Sequence, residues 1–73
     1  MKNIEIGQKL VAFWGAMHPI EELVVEELLY KEGKLDLVRA KDPEDEEVAY
    51  LFEVKNIRPD YHREFHGVGI YCV

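Results

Sequence analysis

A single cysteine, Cys72, stands in 73 residues, so no intrachain disulfide can form. Such usage suits a reducing compartment, and the cytoplasm is the expected location. The longest near-apolar run, Leu10 to Met17, falls far short of the roughly 20 residues that span a bilayer, so no membrane role is expected. Met1-Lys2-Asn3-Ile4-Glu5 lacks the apolar core of a signal peptide. Glycines number only five, and Gly67-Val68-Gly69 lacks the third glycine and following helix of a dinucleotide fingerprint. No cofactor is expected. Basic residues are also few: nine against fifteen acidic ones, a formal charge of −6. That surface repels phosphate backbones, which disfavours direct nucleic-acid binding and favours a protein partner with a basic surface.

What is present is enough apolar material to fold. Hydrophobic residues make up 48% of the chain and include three Phe, four Tyr and one Trp, well above disordered composition. Length and the lack of repeats or linkers predict a single domain over 1–73. A chain this short buries only about 60% of its unfolded surface, so its core is small. Homodimerisation is an ordinary way to add buried area.

The chain is organised around Val24 to Ile57, where two turn signals separate three apolar runs. In Lys31-Glu32-Gly33-Lys34 a glycine sits where a tight hairpin needs positive φ. With Glu32 and Gly33 as the loop, Tyr30 faces Leu35, Leu28 faces Leu37, and Glu26 faces Arg39. Each such pair contributes roughly 0.2–1 kcal/mol. The second turn is expected at Asp42-Pro43-Glu44-Asp45-Glu46-Glu47, initiated by Asp-Pro. Beyond it Val48, Tyr50, Phe52 and Val54 alternate with Ala49, Leu51, Glu53 and Lys55, the strongest strand pattern in the chain.

The first run also supports a rival reading. His18-Pro19-Ile20-Glu21-Glu22 has proline and glutamates where a helix begins, and Gly33 could cap a helix over 19–31. Against it, the glutamates scatter around the helical wheel and Val24-Val25 disfavours a helix.

Elsewhere, Ile4 and Ile6 alternate in a polar lead that predicts a short edge strand. Lys9 to Trp14 predicts a strand ended by Gly15. Asn56 to Tyr61 ends the third run of the meander at Pro59. One helical turn is expected over Tyr61 to Phe65, and a final strand docked in the core over Gly67 to Val73. The expected fold is thus a small β-rich domain of about five antiparallel strands. In strand count and order it is similar to small SH3-like barrels, partly open. The alternative is an α+β domain with the 19–31 helix on a four-stranded antiparallel sheet.

Four groups are candidates for chemistry. The acidic tip Asp42, Glu44, Asp45, Glu46 and Glu47 carries five carboxylates in six residues. It is a solvated turn or, more sharply, a docking element for a basic surface. Trp14, Met17, His18, Tyr61 and Tyr71 flank two loops. They are core residues or, in the alternative, the lining of a small-ligand site, with Trp14, His18, Tyr61 and Tyr71 as the contacts. His62 and His66, four apart, would share a helical face and form a weak metal pair, but no C-x-x-C accompanies them. Cys72, inside an apolar strand with no oxyanion element beside it, reads as a buried structural thiol.

No catalytic residues are visible. The expected function is therefore a non-enzymatic, acidic protein-binding module that docks on, and inhibits or regulates, a larger partner. Phage or mobile-element inhibitors commonly take this form. The alternative is a small-ligand or metal-binding protein using the aromatic and histidine group.

Overall fold

The computed structural model describes residues 4–15, 17, 19–58 and 68–73. Among the described residues, six strands form one sheet: β1 (Lys9–Phe13), β2 (Glu21–Lys31), β3 (Lys34–Asp42), β4 (Asp45–Glu53), β5 (Ile57–Arg58) and β6 (Gly69–Cys72). Their order across the sheet is β4-β3-β2-β1-β6-β5. The pairings are antiparallel except β5 with β6, which is parallel. The fold is a small β-rich domain whose only helical element among the described residues is a 3-10 turn at Val54–Asn56. No helix among these residues is long and apolar enough to cross a membrane.

Residues 21–31 form a strand, which overturns the alternative of a helix over 19–31. β2 lies between β1 and β3 and pairs with β1 along residues 21–24 and with β3 along residues 24–31, so the ladders along its length supply backbone partners that a helix would have had to supply internally. The alternation of this strand is broken midway. Leu23 and Val25 face the core two residues apart, and the next apolar residue packed on that side is Leu28, three further on.

Two β-bulges in the β2–β3 hairpin explain that spacing. Tyr30 pairs with Leu35 as expected, but Leu29 then pairs with Leu37, leaving Asp36 as an extra residue on β3. Glu27 pairs with Arg39 and Val25 with Ala40, leaving Glu26 extra on β2 and restoring the first register. The expected pairs Leu28–Leu37 and Glu26–Arg39 are therefore each displaced by one residue. A ladder without bulges would set Leu29 against Asp36 and Glu27 against Val38, two apolar–charge mismatches. The bulges replace these with Leu29–Leu37, Leu28–Val38 and Glu27–Arg39, the last an ion pair of 3.0 Å. Each bulge flips the facing of the strand by one residue. Both acids stay exposed, while Leu35, Leu28 and Val38 stay on the core side.

The tip of this hairpin is the expected Glu32-Gly33 pair, with φ of 53° and 81°. Positive φ at both central residues is the signature of a type I′ turn, whose twist matches that of the strands. The second turn is shorter than expected: only Pro43 and Glu44 lie outside the strands, and Asp45, Glu46 and Glu47 belong to β4. Aspartate side chains supply the turn's local bonds. Asp42 Oδ1 accepts from the Glu44 amide at 2.8 Å, and Asp45 Oδ1 from the Glu47 amide at 3.1 Å.

Beyond Glu53 the chain crosses the fold. Ile57 and Arg58, expected to end the third run of the meander, form a separate strand at the opposite edge of the sheet. This raises the strand count among the described residues to six and makes the sheet mixed. It also sets the curvature. Four residue steps from Glu53 to Ile57 reach about 14 Å at most, whereas six flat strands would hold their edges about 24 Å apart. The sheet must therefore curl, although β4 and β5 do not pair and no closed barrel forms. The concave face holds Leu10, Ala12, Leu23, Val25, Val38, Ala40, Ile57, Ile70 and Cys72. Ile4 joins this core from the N-terminal lead, which is not the expected edge strand. It is a turn tied to β2 through Gly7 and Gln8, and Ile6 points outward.

Candidate functional site

The curl carries a residue from the end of β1 onto a strand three places away. Three inter-strand gaps amount to about 14 Å in a flat sheet. Yet the Trp14 ring lies 5.3 Å from Tyr50 and 6.3 Å from Phe52, centroid to centroid. Tyr50 and Phe52 stack on each other at 5.9 Å. Alternation in β4 turns both of these rings toward the concave side, where they pack on the core. Trp14 closes over them and keeps 38% of its surface exposed.

Glu21 fastens this corner. As the register partner of Ala12 it opens the inward phase of β2, ahead of Leu23 and Val25. Its Oε1 accepts two hydrogen bonds, from Trp14 Nε1 at 3.0 Å and from the Tyr50 hydroxyl at 3.2 Å. Burial, this hydrogen bond and the charges of Glu21, Asp42 and Asp45 together hold the Tyr50 hydroxyl above its ordinary pKa of 10.0. The hydroxyl therefore stays a donor at neutral pH, in a negative field.

An open depression of about 1270 Å3 lies in front of these groups. Trp14, Pro19, Ile20, Glu21 and Tyr50 line it beside Asp42, Pro43 and Glu44 of the β3–β4 turn; Lys9, Leu10, Val11, Glu22 and Val73 complete the wall. Lys9 is the one cationic side chain among the lining residues, against the carboxylates of Glu21, Glu22, Asp42 and Glu44. Among the described residues, none of Asp42, Glu44, Asp45, Glu46 or Glu47 makes an ion pair. Such a wall, aromatic on one side and acidic on the other, suits a cationic group.

The structure thus brings together residues that the sequence placed in two separate groups, Trp14 from the aromatic set and Asp42 and Glu44 from the acidic tip. Asp45 is near enough to act on the Tyr50 hydroxyl, while Glu46 and Glu47 continue along β4 as exposed residues. Tyr71 lies apart: it is buried in β6, with the Arg58 guanidinium carbon 5.7 Å from its ring centroid. Met17 is exposed, and Cys72 is buried in the core. His18, Tyr61, His62 and His66 lie outside the described residues. Among the described residues, no group of three or more His, Cys, Asp or Glu side chains is placed to hold a metal ion.

Sequence reasoning missed Glu21, Tyr50 and Phe52. The two rings looked like plain core because their alternation was so regular. Glu21 carried a usable signal, as a charged residue in phase with Leu23 and Val25 on the inward side of its strand. No family model matches the chain, no curated protein matches it in sequence, and no solved structure matches it in fold.

Proposed function

We propose that this protein is a non-enzymatic binding module that docks on a basic surface of a larger protein and so inhibits or regulates it. The observation that carries this reading is the meeting of Trp14, Tyr50 and Glu21 with the acidic β3–β4 turn around one open depression. Aromatic rings provide contact area at low entropic cost, and unpaired carboxylates steer a basic partner over distances of about 10 Å at ordinary salt. The formal charge of −6 acts in the same direction. In this reading the module works in the cytoplasm, consistent with its single cysteine. Its fold is taken as a partly open, SH3-like barrel, supported by the short Val54–Asn56 connection that draws the two sheet edges together.

The test is a five-fold neutral variant, Asp42→Asn, Glu44→Gln, Asp45→Asn, Glu46→Gln and Glu47→Gln. Asparagine keeps the Oδ1 acceptors that shape the turn, so circular dichroism should match the parent. The parent, gently isolated from its source and examined by native mass spectrometry, should carry a basic protein that salt releases. The variant should lose it. Equal association of both proteins would refute the proposal, and a copurifying small molecule in place of a protein would favour a ligand carrier.

A further inference from the structure

We infer that the corner formed by Trp14, Glu21 and Tyr50 is a receptor for the guanidinium group of an arginine side chain. This rests on the binding-module reading and names the group that the partner inserts. Both local donors converge on one oxygen of Glu21, Oε1. Among the described residues, Oε2 has no hydrogen-bond partner. The carboxylate is therefore held in place by neutral donors while one acceptor oxygen stays uncommitted. Glu21 lines the open depression, as do Trp14 and Asp42. The indole is part-exposed, so a flat cation can lie on it.

The geometry selects among cations. The three rings already fill the space between one another, at centroid separations of 5.3, 6.3 and 5.9 Å. No enclosed cage remains for a spherical trimethylammonium. What the corner offers is a single aromatic surface bordered by carboxylates, and a planar fork of N–H donors fits that shape. Guanidinium stacks on the ring while donating to carboxylate oxygens, whereas an ammonium is a compact, strongly hydrated point charge. Lys9 also borders the depression and repels any cation there, so the arginine must gain from stacking as well as from charge. A simple surplus of acid would not discriminate in this way.

Trp14 is the chain's only tryptophan, so its fluorescence reports on this corner alone. The full chain is titrated with three capped tripeptides, glycine–X–glycine, in which X is arginine, lysine or citrulline, at one ionic strength. The expected result is a saturable change with arginine, an affinity weaker by about fivefold with lysine, and no response to citrulline, the neutral isostere. Glu21→Gln keeps an oxygen for both local donors and should weaken arginine binding about tenfold. The parent's discrimination among peptides tests the inference even if that variant fails to fold. Equal responses to arginine and lysine, or full arginine binding by folded Glu21→Gln, would overturn it in favour of diffuse attraction. The two proposals fail separately. If the five-fold neutral variant loses its partner while Trp14 is silent to arginine, only this inference falls. If that variant keeps its partner, the broader reading falls.

Discussion

Deleting residues from β3 one at a time should separate bulge positions from ladder positions, even when the residues deleted are alike. Asp36 and Arg39 are both exposed, charged and in the same strand. Asp36 is the extra residue of a bulge, so deleting it turns two-against-one into one-against-one. Tyr30–Leu35, Leu29–Leu37 and every other pair survive. The loss is small and a regular ladder is gained, so the net change should stay within about 1 kcal/mol. Arg39 sits opposite Glu27, between Leu28–Val38 and Val25–Ala40. Without it Glu26 and Glu27 have no residue to face, and the strand must slip by one. That slip turns Val38, which is fully buried, out of the core, at about 1.5–3 kcal/mol for this side chain alone. Loss of the exposed Glu27 ion pair adds only about 0.2–1 kcal/mol. Against a total stability of about 4–11 kcal/mol for a chain of this size, the second deletion is severe. Urea unfolding followed by circular dichroism measures both. With a slope of about 1–3 kcal/mol per molar, the Asp36 deletion should move the midpoint by less than about 1 M. At any one slope the Arg39 deletion should lower it further than the Asp36 deletion does, by about 0.6–4 M, or abolish the transition. Equal damage from the two deletions would refute the register argued above.

Two further predictions concern backbone and pH. Glu32 occupies the left-handed region at φ 53°, a conformation that costs an ordinary residue about 1–2 kcal/mol and that Asn and Asp tolerate better. Glu32→Asn and Glu32→Asp should each stabilise by about 0.5–1 kcal/mol and raise Tm by about 2–8 °C. Asp keeps the charge between Lys31 and Lys34, so a gain with Asn alone would refute the backbone explanation. For Tyr50, folded-state pKa lies above the unfolded value, so its contribution to stability is intact below about pH 10 and is lost as pH rises through the raised value. Phenolate absorbance of the parent minus that of Tyr50→Phe should titrate above pH 10, and Glu21→Gln should bring that midpoint down. A difference curve centred at or below pH 10 would contradict the part-buried hydrogen bond to Glu21.

Local chemistry was enough for several features. The β-rich class, the Glu32-Gly33 tip, the alternation of Val48 to Phe52 and the burial of Cys72 follow from turn stereochemistry, period-two patterning and the size of the residues. These depend on neighbours in the chain, so the chain alone determined them. Other features belong to partners distant in sequence. Whether 21–31 is helix or strand turned on pairing with β1 along residues 21–24 and with β3 along residues 24–31. The bulges at Glu26 and Asp36 exist because alignment of two strands would otherwise have set charge against the core. Ile57 became a separate edge strand because a three-residue turn drew the far side of the sheet within reach. That same curl delivered Trp14 to Tyr50, while pairing of β1 with β2 set Glu21 beside it. Only the tertiary structure could join an aromatic near residue 14, a carboxylate at 21 and an acidic turn at 42–44, because no local interaction spans those separations.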